Sequence, residues 1–275
     1  DAVFLLDCTA TPLAYGENTP FARLVASHAW CCNPDFADWS THGATGHRCL
    51  NKVLAMLGNG GVVAVYNTAQ KKALEQVGVK QRIVLAPYTI DQKVFFPGGR
   101  QTAGYTGEKL RIGWNYQVSG GLNSFKGLTH VLIPLISRLG DSVSWSVLTP
   151  EAGSCFDTEQ LVSWYRSLDL FLCTSSGEGG PQGPLEAAAC GCAVLSTDVG
   201  QMSDWDILKS YNLLFPTYRN AVEAEDVVTQ MANRIAHLAE HRLETRLIAS
   251  TLVQDIQKNW NAETECPKQL LGIFG

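Results

Sequence analysis

A parallel α/β fold is what this sequence predicts, and three observations predict it. Short apolar runs alternate with stretches of helical periodicity from Leu110 onward, the pattern of strands and helices in a doubly wound sheet. Near the start, Ala2-Val-Phe-Leu-Leu6 is a short apolar run ending at Asp7, consistent with a buried parallel strand. Between two later apolar runs lies Glu178-Gly-Gly-Pro-Gln-Gly-Pro-Leu-Glu186, a strand-to-helix loop at the place where such sheets hold their ligands.

The elements follow in order. After the strand at 2–6, the Pro, Gly and Asn cluster from Pro12 to Pro20 marks a loop. Phe21 to Ala29 is expected as a helix, and residues 33–47, rich in Asp, Asn, Gly and His, as another loop. A helix at 48–57 precedes a strand at 62–66, a short helix at 71–76 and a strand at 83–85. Gly98 to Gly107 lacks apolar periodicity and reads as a connector. Beyond it come strands at 110–114, 143–148, 168–173, 193–197 and 213–216, with helices at 128–139, 158–166 and from Pro184 onward. Residues 221–259 are helical in pattern. The expected division is a first domain at 1–97, a second at 98–250, and a helical segment at 251–275.

Composition narrows the class. A chain of 275 residues with 45% hydrophobic and 17% charged residues has enough apolar material for one large or two small cores. No apolar run approaches the length of a membrane span, and no basic leader precedes an apolar segment. The chain starts at Asp1 rather than Met, as a fragment or trimmed chain does. The net charge is −5 with Lys and Arg scattered, which argues against a broad nucleic-acid surface. Nine cysteines without framework spacing, several in apolar contexts, point to reduced thiols in a cytoplasmic protein.

The loop at 178–186 carries the chemistry. Its glycines and the helix start can present N–H groups and a positive dipole end to a phosphate. Its two carboxylates can accept hydrogen bonds from sugar hydroxyls. Pro184 suits the first helical position, which puts Glu186 in the first turn, where dipole complementarity is the plainer explanation of an acid. Pro181 cannot donate, whereas Gly180, Gln182 and Gly183 can. Together these features read as a nucleotide-sugar site.

The segment resembles family 4 of the retaining glycosyltransferases, enzymes of the GT-B fold with two Rossmann-like domains and a last helix that crosses back to the first domain. The likeness runs through Ser175-Ser-Gly-Glu178, Glu186-Ala-Ala-Ala-Cys-Gly191 and Ser196-Thr-Asp-Val-Gly200. It extends to Ile112-Gly-Trp-Asn115 with Lys126-Gly127, and upstream to Val62-Val-Ala-Val-Tyr-Asn67, Ala86-Pro-Tyr-Thr-Ile-Asp91 and Phe95-Phe-Pro97. The resemblance implies a metal-independent transfer of a sugar from a nucleotide-diphosphate donor, with no cofactor. Lys126 would meet the diphosphate, Glu178 the transferred sugar and Glu186 the nucleotide ribose. The acceptor is left open among glycan, lipid, small molecule, protein and modified nucleic acid.

Two departures matter. Family members usually carry an Arg after the strand glycine, where this chain has Trp114-Asn115-Tyr116, leaving Asn115 as a neutral donor. The first domain is short and lacks the early Gly-rich turn, so that half is either missing or reduced. A nucleotide-sugar-binding protein without turnover therefore stands as the alternative. A glycosidase using Glu178 and Glu186 as acid and base is a second one.

Other patterns weigh less. Asp7-Cys-Thr-Ala-Thr-Pro12 is similar to a cleft-facing Asp-x-Thr of some relatives, but an Asp ending a strand is also a common turn residue. His28, His42 and His47 are candidates for a donor-side His that spacing does not separate. Cys31-Cys32 and Cys190-x-Cys192 lack a second pair for zinc, and Asp204-Trp-Asp206 is a cheap match to a metal-binding pattern. His237-Leu-Ala-Glu-His241 fits an inverted zinc-protease motif or an ordinary helix surface.

Overall fold

The computed structural model describes residues 62–76, 78–98, 109–115, 126–149 and 157–274, and the backbone of the strands at 2–5 and 23–27. Two parallel sheets organise it. The first has the order β1-β2-β3-β4, with β1 Ala2–Leu5, β2 Arg23–Ser27, β3 Val62–Val65 and β4 Arg82–Leu85. Helix α1, Thr68–Gln76, connects β3 to β4. The expected helix at Phe21–Ala29 is therefore corrected to a strand. Leu24-Val-Ala26 has no strong strand preference of its own, but it pairs in register with both β1 and β3, and that pairing on two sides outweighs local propensity.

The second sheet has the order β6-β5-β7-β8-β9. Its strands are β5 Leu110–Asn115, β6 Val143–Leu148, β7 Leu170–Cys173, β8 Ala193–Thr197 and β9 Leu214–Phe215. β7 and β8 are buried at every position, because a central parallel strand is covered on both faces. β6, on the edge, is buried only at Val143 and is part-exposed or exposed over the rest of its length.

Helices cover these faces. After β5 comes a π-helical turn, Leu128–Leu132, that runs into α2, Ile133–Leu139. Then come α3 Thr158–Ser167, α4 Gln182–Ala189, α5 Asp206–Ser210, α6 Ala221–Glu240, α7 Arg242–Asn259 and α8 Ala262–Phe274. The helical pattern over 221–259 is thus two helices, broken at His241, whose backbone (φ −107, ψ 63) leaves the helical region. The core runs from Ile112 and Trp114 through Phe171, Leu195 and Leu185 to Met231, Ile235 and Leu252.

The chain end returns to the first sheet. Ile90 N–H donates to the Trp260 carbonyl at 2.7 Å, and Ala262 N–H to the Ile90 carbonyl at 3.0 Å. Arg82 Nη2 donates to the Gly272 carbonyl at 2.7 Å, and Gln269 Nε2 to that of Pro87 at 3.0 Å. The helix expected to cross back does so, as α8.

Beneath the second sheet, Asp169 accepts from Arg111 Nη2 at 2.7 Å, from the Arg111 main-chain N–H at 2.9 Å and from Arg242 Nη2 at 2.8 Å. Burial alone would raise its pKa, but these donors outweigh burial and hold it below the usual 3.8. Its share of stability is present above the unfolded-state pKa and is lost as pH falls through the lowered one. Asp169→Ala strands two guanidinium groups, and urea unfolding is expected to show a loss of about 3–5 kcal/mol. A loss under about 1 kcal/mol would show that water compensates the pair.

Candidate functional site

The order of the second sheet places its switch point between β5 and β7, where successive connections leave in opposite directions. Ligands of open α/β sheets bind in the crevice beyond the carboxyl ends of the strands there. Asn115 ends β5, and Thr174 and Ser175 follow β7. The loop from Ser176 to Pro181 leads from that edge into α4.

Thr174 joins the two strand ends. Its hydroxyl accepts from Trp114 Nε1 at 2.9 Å and donates to the Lys126 carbonyl at 2.8 Å. Its own carbonyl accepts from the Tyr218 hydroxyl at 2.8 Å. Gly127 makes this packing possible, with φ +80: a Cβ there would lie 2.0 Å from the Thr174 carbonyl oxygen and 2.6 Å from the Tyr218 hydroxyl. Gly127→Ala adds a left-handed backbone penalty of about 1–2 kcal/mol to that clash. A lower melting temperature with lost nucleotide-sugar binding is expected. An unchanged thermal melt would mean that the turn at 126–127 relaxes freely.

Lys126 is thereby aimed at the loop. Its ammonium forms an ion pair with Glu178, whose same carboxylate oxygen accepts from the Ser175 hydroxyl at 2.8 Å. The Glu178 side chain is 14% exposed and that of Lys126 32%, so both keep a solvent-facing edge beside partial desolvation. Two of the expected site residues are in direct contact.

A second cluster forms round Tyr165 of α3. Its hydroxyl accepts from Asn115 Nδ2 at 3.1 Å and donates to Glu186 Oε2 at 2.9 Å. Gly183 abuts the same group, since a Cβ on it would meet Asn115 Oδ1 at 3.3 Å and the Tyr165 hydroxyl at 3.4 Å. Burial pushes the Glu186 pKa above its usual 4.5, and the Tyr165 hydrogen bond partly opposes this. Burial, reinforced by the Glu186 charge, raises the Tyr165 pKa well above 10.0, which keeps the phenol protonated and donating.

The helix start differs from the expectation. α4 begins at Gln182 with Pro181 as its cap residue, so Pro184 is the third helical residue and Glu186 lies beyond the first turn. The reason is steric: Pro181 sits at φ −67, ψ 120, an extended residue feeding the helix two positions early. Pro181 and Pro184 carry no N–H, so the outward donors of this turn are those of Gln182 and Gly183. Because Glu186 is past that turn, its fixed partner is Tyr165 and not the helix dipole. Gly180 faces Tyr88 and Gln201 instead, with Tyr88 Cδ2 2.6 Å from where its Cβ would be.

Sequence reasoning missed Tyr165, Gln201 and Tyr88. Tyr165 lies on the apolar stripe of α3 with Leu161 and reads as core; nothing local marks its hydroxyl as a partner of Glu186. Asp7, Cys31, Cys32, His28, His42, His47 and the expected helix at 48–57 lie outside the described residues. Asp204 binds the main-chain N–H of Thr68 at 2.7 Å, and also its hydroxyl, at the start of α1. Asp206 pairs with Lys209. His237 bonds Glu244 at 2.7 Å and stacks on His241. Among the described residues no group of three His, Cys, Asp or Glu side chains is arranged to hold a metal.

A hollow of about 400 Å³ beside Gln201, Asp204 and Trp260 opens at the seam with the first sheet. Another, of about 270 Å³, lies by Asp169 and Arg242 at the opposite strand ends. Neither is lined by Lys126 or Glu186.

The comparisons with known proteins converge on this architecture. Sucrose-phosphate synthase of Thermosynechococcus elongatus superposes with a TM-score of 0.64 at 18% identity, over 90% of this chain and 68% of that one. TarM of S. aureus, solved with fondaparinux, alpha-GlcNAc-glycerol and UDP, gives 0.69 at 15%, over 100% of this chain. The fold is GT-B.

HepE of Anabaena, solved with UDP and glucose, is a further GT-B neighbour at 0.63 and 16% identity, covering 91% of this chain and 71% of its own. This chain spans 55% of the length of TarM. The family model described as Glycosyl transferases group 1 matches residues 151–241, which hold Tyr165, Glu178 and the whole of α4. No curated protein sequence matches the chain. No helix among the described residues is long and apolar enough to cross a membrane.

Proposed function

We propose that this chain is a retaining, metal-independent glycosyltransferase of the family 4 type, a hexosyltransferase that uses a nucleotide-diphosphate sugar. The observation that carries the reading is the Lys126–Glu178 pair at the switch point, in the loop that leads four residues later into the first residue of α4, Gln182. Residues 1–97 form the acceptor-side domain, 98–250 the donor-binding domain and 251–275 the returning helical segment. The GT-B fold and the matched segment at 151–241 support this reading, as do UDP complexes of two neighbours.

Each residue has a chemical task. When the glycosidic bond to the nucleotide breaks, negative charge grows on the departing β-phosphate. Fixed donors aimed there stabilise it without reorganising at the moment of reaction. Lys126 supplies a full positive charge and Gln182 and Gly183 supply backbone dipoles. In this reading the Lys126 ammonium stays near Glu178 while it gains the phosphate, and Glu178 accepts from a hydroxyl of the transferred sugar. Glu186, one oxygen held by Tyr165, offers the other to the ribose. The acceptor hydroxyl attacks on the face that the nucleotide leaves, and its proton passes to the departing phosphate oxygen.

A second reading, binding without turnover, has one observation in its favour. Asn115 stands where the family carries Arg, and its amide nitrogen is directed to Tyr165. A lost charge-assisted hydrogen bond is worth about 1.5–3 kcal/mol. Thermal-shift screening with UDP-, GDP- and ADP-sugars identifies the donor, since ligand binding raises apparent stability by mass action. Nucleotide release then decides between the readings: transfer or donor hydrolysis supports the enzyme, and a stabilising sugar nucleotide that is never cleaved supports the binder. Cleavage of a simple aryl glycoside with indifference to nucleotides would overturn both. Free, buried Cys173, Cys190 and Cys192 suit a reducing compartment, and the cytoplasm is the location we propose.

A further inference from the structure

We propose that Asn67, on the first sheet, is a positioning residue for Glu178, which links the aim of that carboxylate to the apposition of the two sheets. The inference rests on the reading of Glu178 as the residue that meets the transferred sugar.

Asn67 follows β3 and is fully buried. Its Oδ1 accepts from the Gln70 N–H at 2.8 Å and its carbonyl from the Lys71 N–H at 3.2 Å, which caps α1. Its Nδ2 donates to the Gly179 carbonyl at 2.8 Å, across 112 residues of chain. Capping needs only an acceptor, which Ser or Asp also provides. Reaching Gly179 needs a donor on the same side chain, and among the capping residues only Asn presents both ends at this length. Inverting the amide would set oxygen against oxygen and N–H against N–H, so the two bonds fix its orientation.

Other groups pack closely on the same peptide. Gly200, at φ +54, lies so close that a Cβ on it would be 2.5 Å from the Gly179 oxygen and 2.8 Å from that of Glu178. Gly180 is pressed against Tyr88 and Gln201. Gln201 Oε1 accepts from Tyr88 N–H at 2.9 Å, while its Nε2 is buried and finds no hydrogen-bond partner among the described residues. The main chain at 178–180 is therefore gripped by Asn67 and Tyr88 from the first sheet and the linker, and by Gly200 and Gln201 from the second. Without the Asn67 bond the 179–180 peptide can rotate, and the Glu178 side chain swings with it. A displacement of 1 Å at such a distance from the chemistry can cost about 100-fold in rate.

The test pairs Asn67→Ser, which keeps a capping oxygen but falls short of Gly179, with Asn67→Ala, which loses both functions. Nucleotide release is measured with UDP-, GDP- and ADP-glucose, alone and in a Glu178→Gln background. Expected for Asn67→Ser is a kcat lower by about 10- to 100-fold with donor KM within about twofold and a melting temperature within a few degrees of the parent. In the Glu178→Gln background the same change should have no further effect on kcat, because Asn67 acts through that side chain. Parental turnover, or an equal loss with Gln at 178, overturns the inference. Hydrogen exchange supplies a readout independent of turnover: amides of 176–180 should exchange about tenfold faster in Asn67→Ser while those of α1 do not change. If the parent releases nucleotide from none of the three donors, the enzyme reading is what fails, and equal exchange rates at 176–180 would remove the clamp as well.

Discussion

Replacing Lys126 with alanine is expected to lower sugar transfer by about 10²- to 10³-fold, the effect of removing one preorganised donor from a developing oxyanion. The ammonium is positioned by a chain of contacts with little freedom. Its carbonyl accepts from the Thr174 hydroxyl, its neighbour Gly127 is in the left-handed region against the Thr174 carbonyl, and its Nζ is paired with Glu178. The substitution removes charge without disturbing those backbone contacts, so the melting temperature should hold. Glu178→Ala should abolish transfer to a similar extent by removing the acceptor for the sugar hydroxyl and leaving Lys126 without its carboxylate. Single-turnover nucleotide release separates the chemical step from binding. Turnover within about threefold of the parent in either variant would remove that residue from the mechanism, since a factor of 10 corresponds to only 1.36 kcal/mol.

The second large effect is expected in the pH dependence of nucleotide binding. Burial raises the Glu186 pKa above 4.5, so the group protonates at higher pH than an exposed glutamate. The ribose needs the carboxylate as an acceptor, and binding should weaken as pH falls through that raised value. Stability moves the other way. A carboxyl whose folded-state pKa is raised binds more protons in the fold, so its contribution is present at low pH and is lost as pH rises through the folded value. Tyr165→Phe deletes the hydrogen bond that lowers the Glu186 pKa. The binding midpoint should then shift to higher pH, with affinity at neutral pH reduced about 10-fold by the loss of one bond to a charged group. Calorimetry with UDP or GDP, whichever stabilises the parent, measures both. An affinity that is flat from pH 4 to 8 in both proteins would detach Glu186 from the nucleotide.

Much of the second sheet was legible. β8 at Ala193–Thr197 and β6 at Val143–Leu148 stand at the residues expected, because a short apolar run bounded by polar turns has few other ways to hide. The expected helix at Phe21–Ala29 is instead β2, since strand pairing on both sides outweighs any local helical leaning. α4 was placed two residues late because a proline suits either the first helical position or a later one in the first turn. Only the extended backbone of Pro181 decides between them.

Sequence by itself determined the alternation of strand and helix, the glycines and prolines of the donor loop, and which acids and which lysine stand near it. These are local matters: periodicity, backbone allowance and charge are written residue by residue. Tertiary structure alone decided that Asn115 and Glu186 share Tyr165, that Lys126 pairs with Glu178, and that Asn67 reaches Gly179. Each of those joins residues far apart in the chain, and hydrogen bonds of that kind depend on distances that only packing sets.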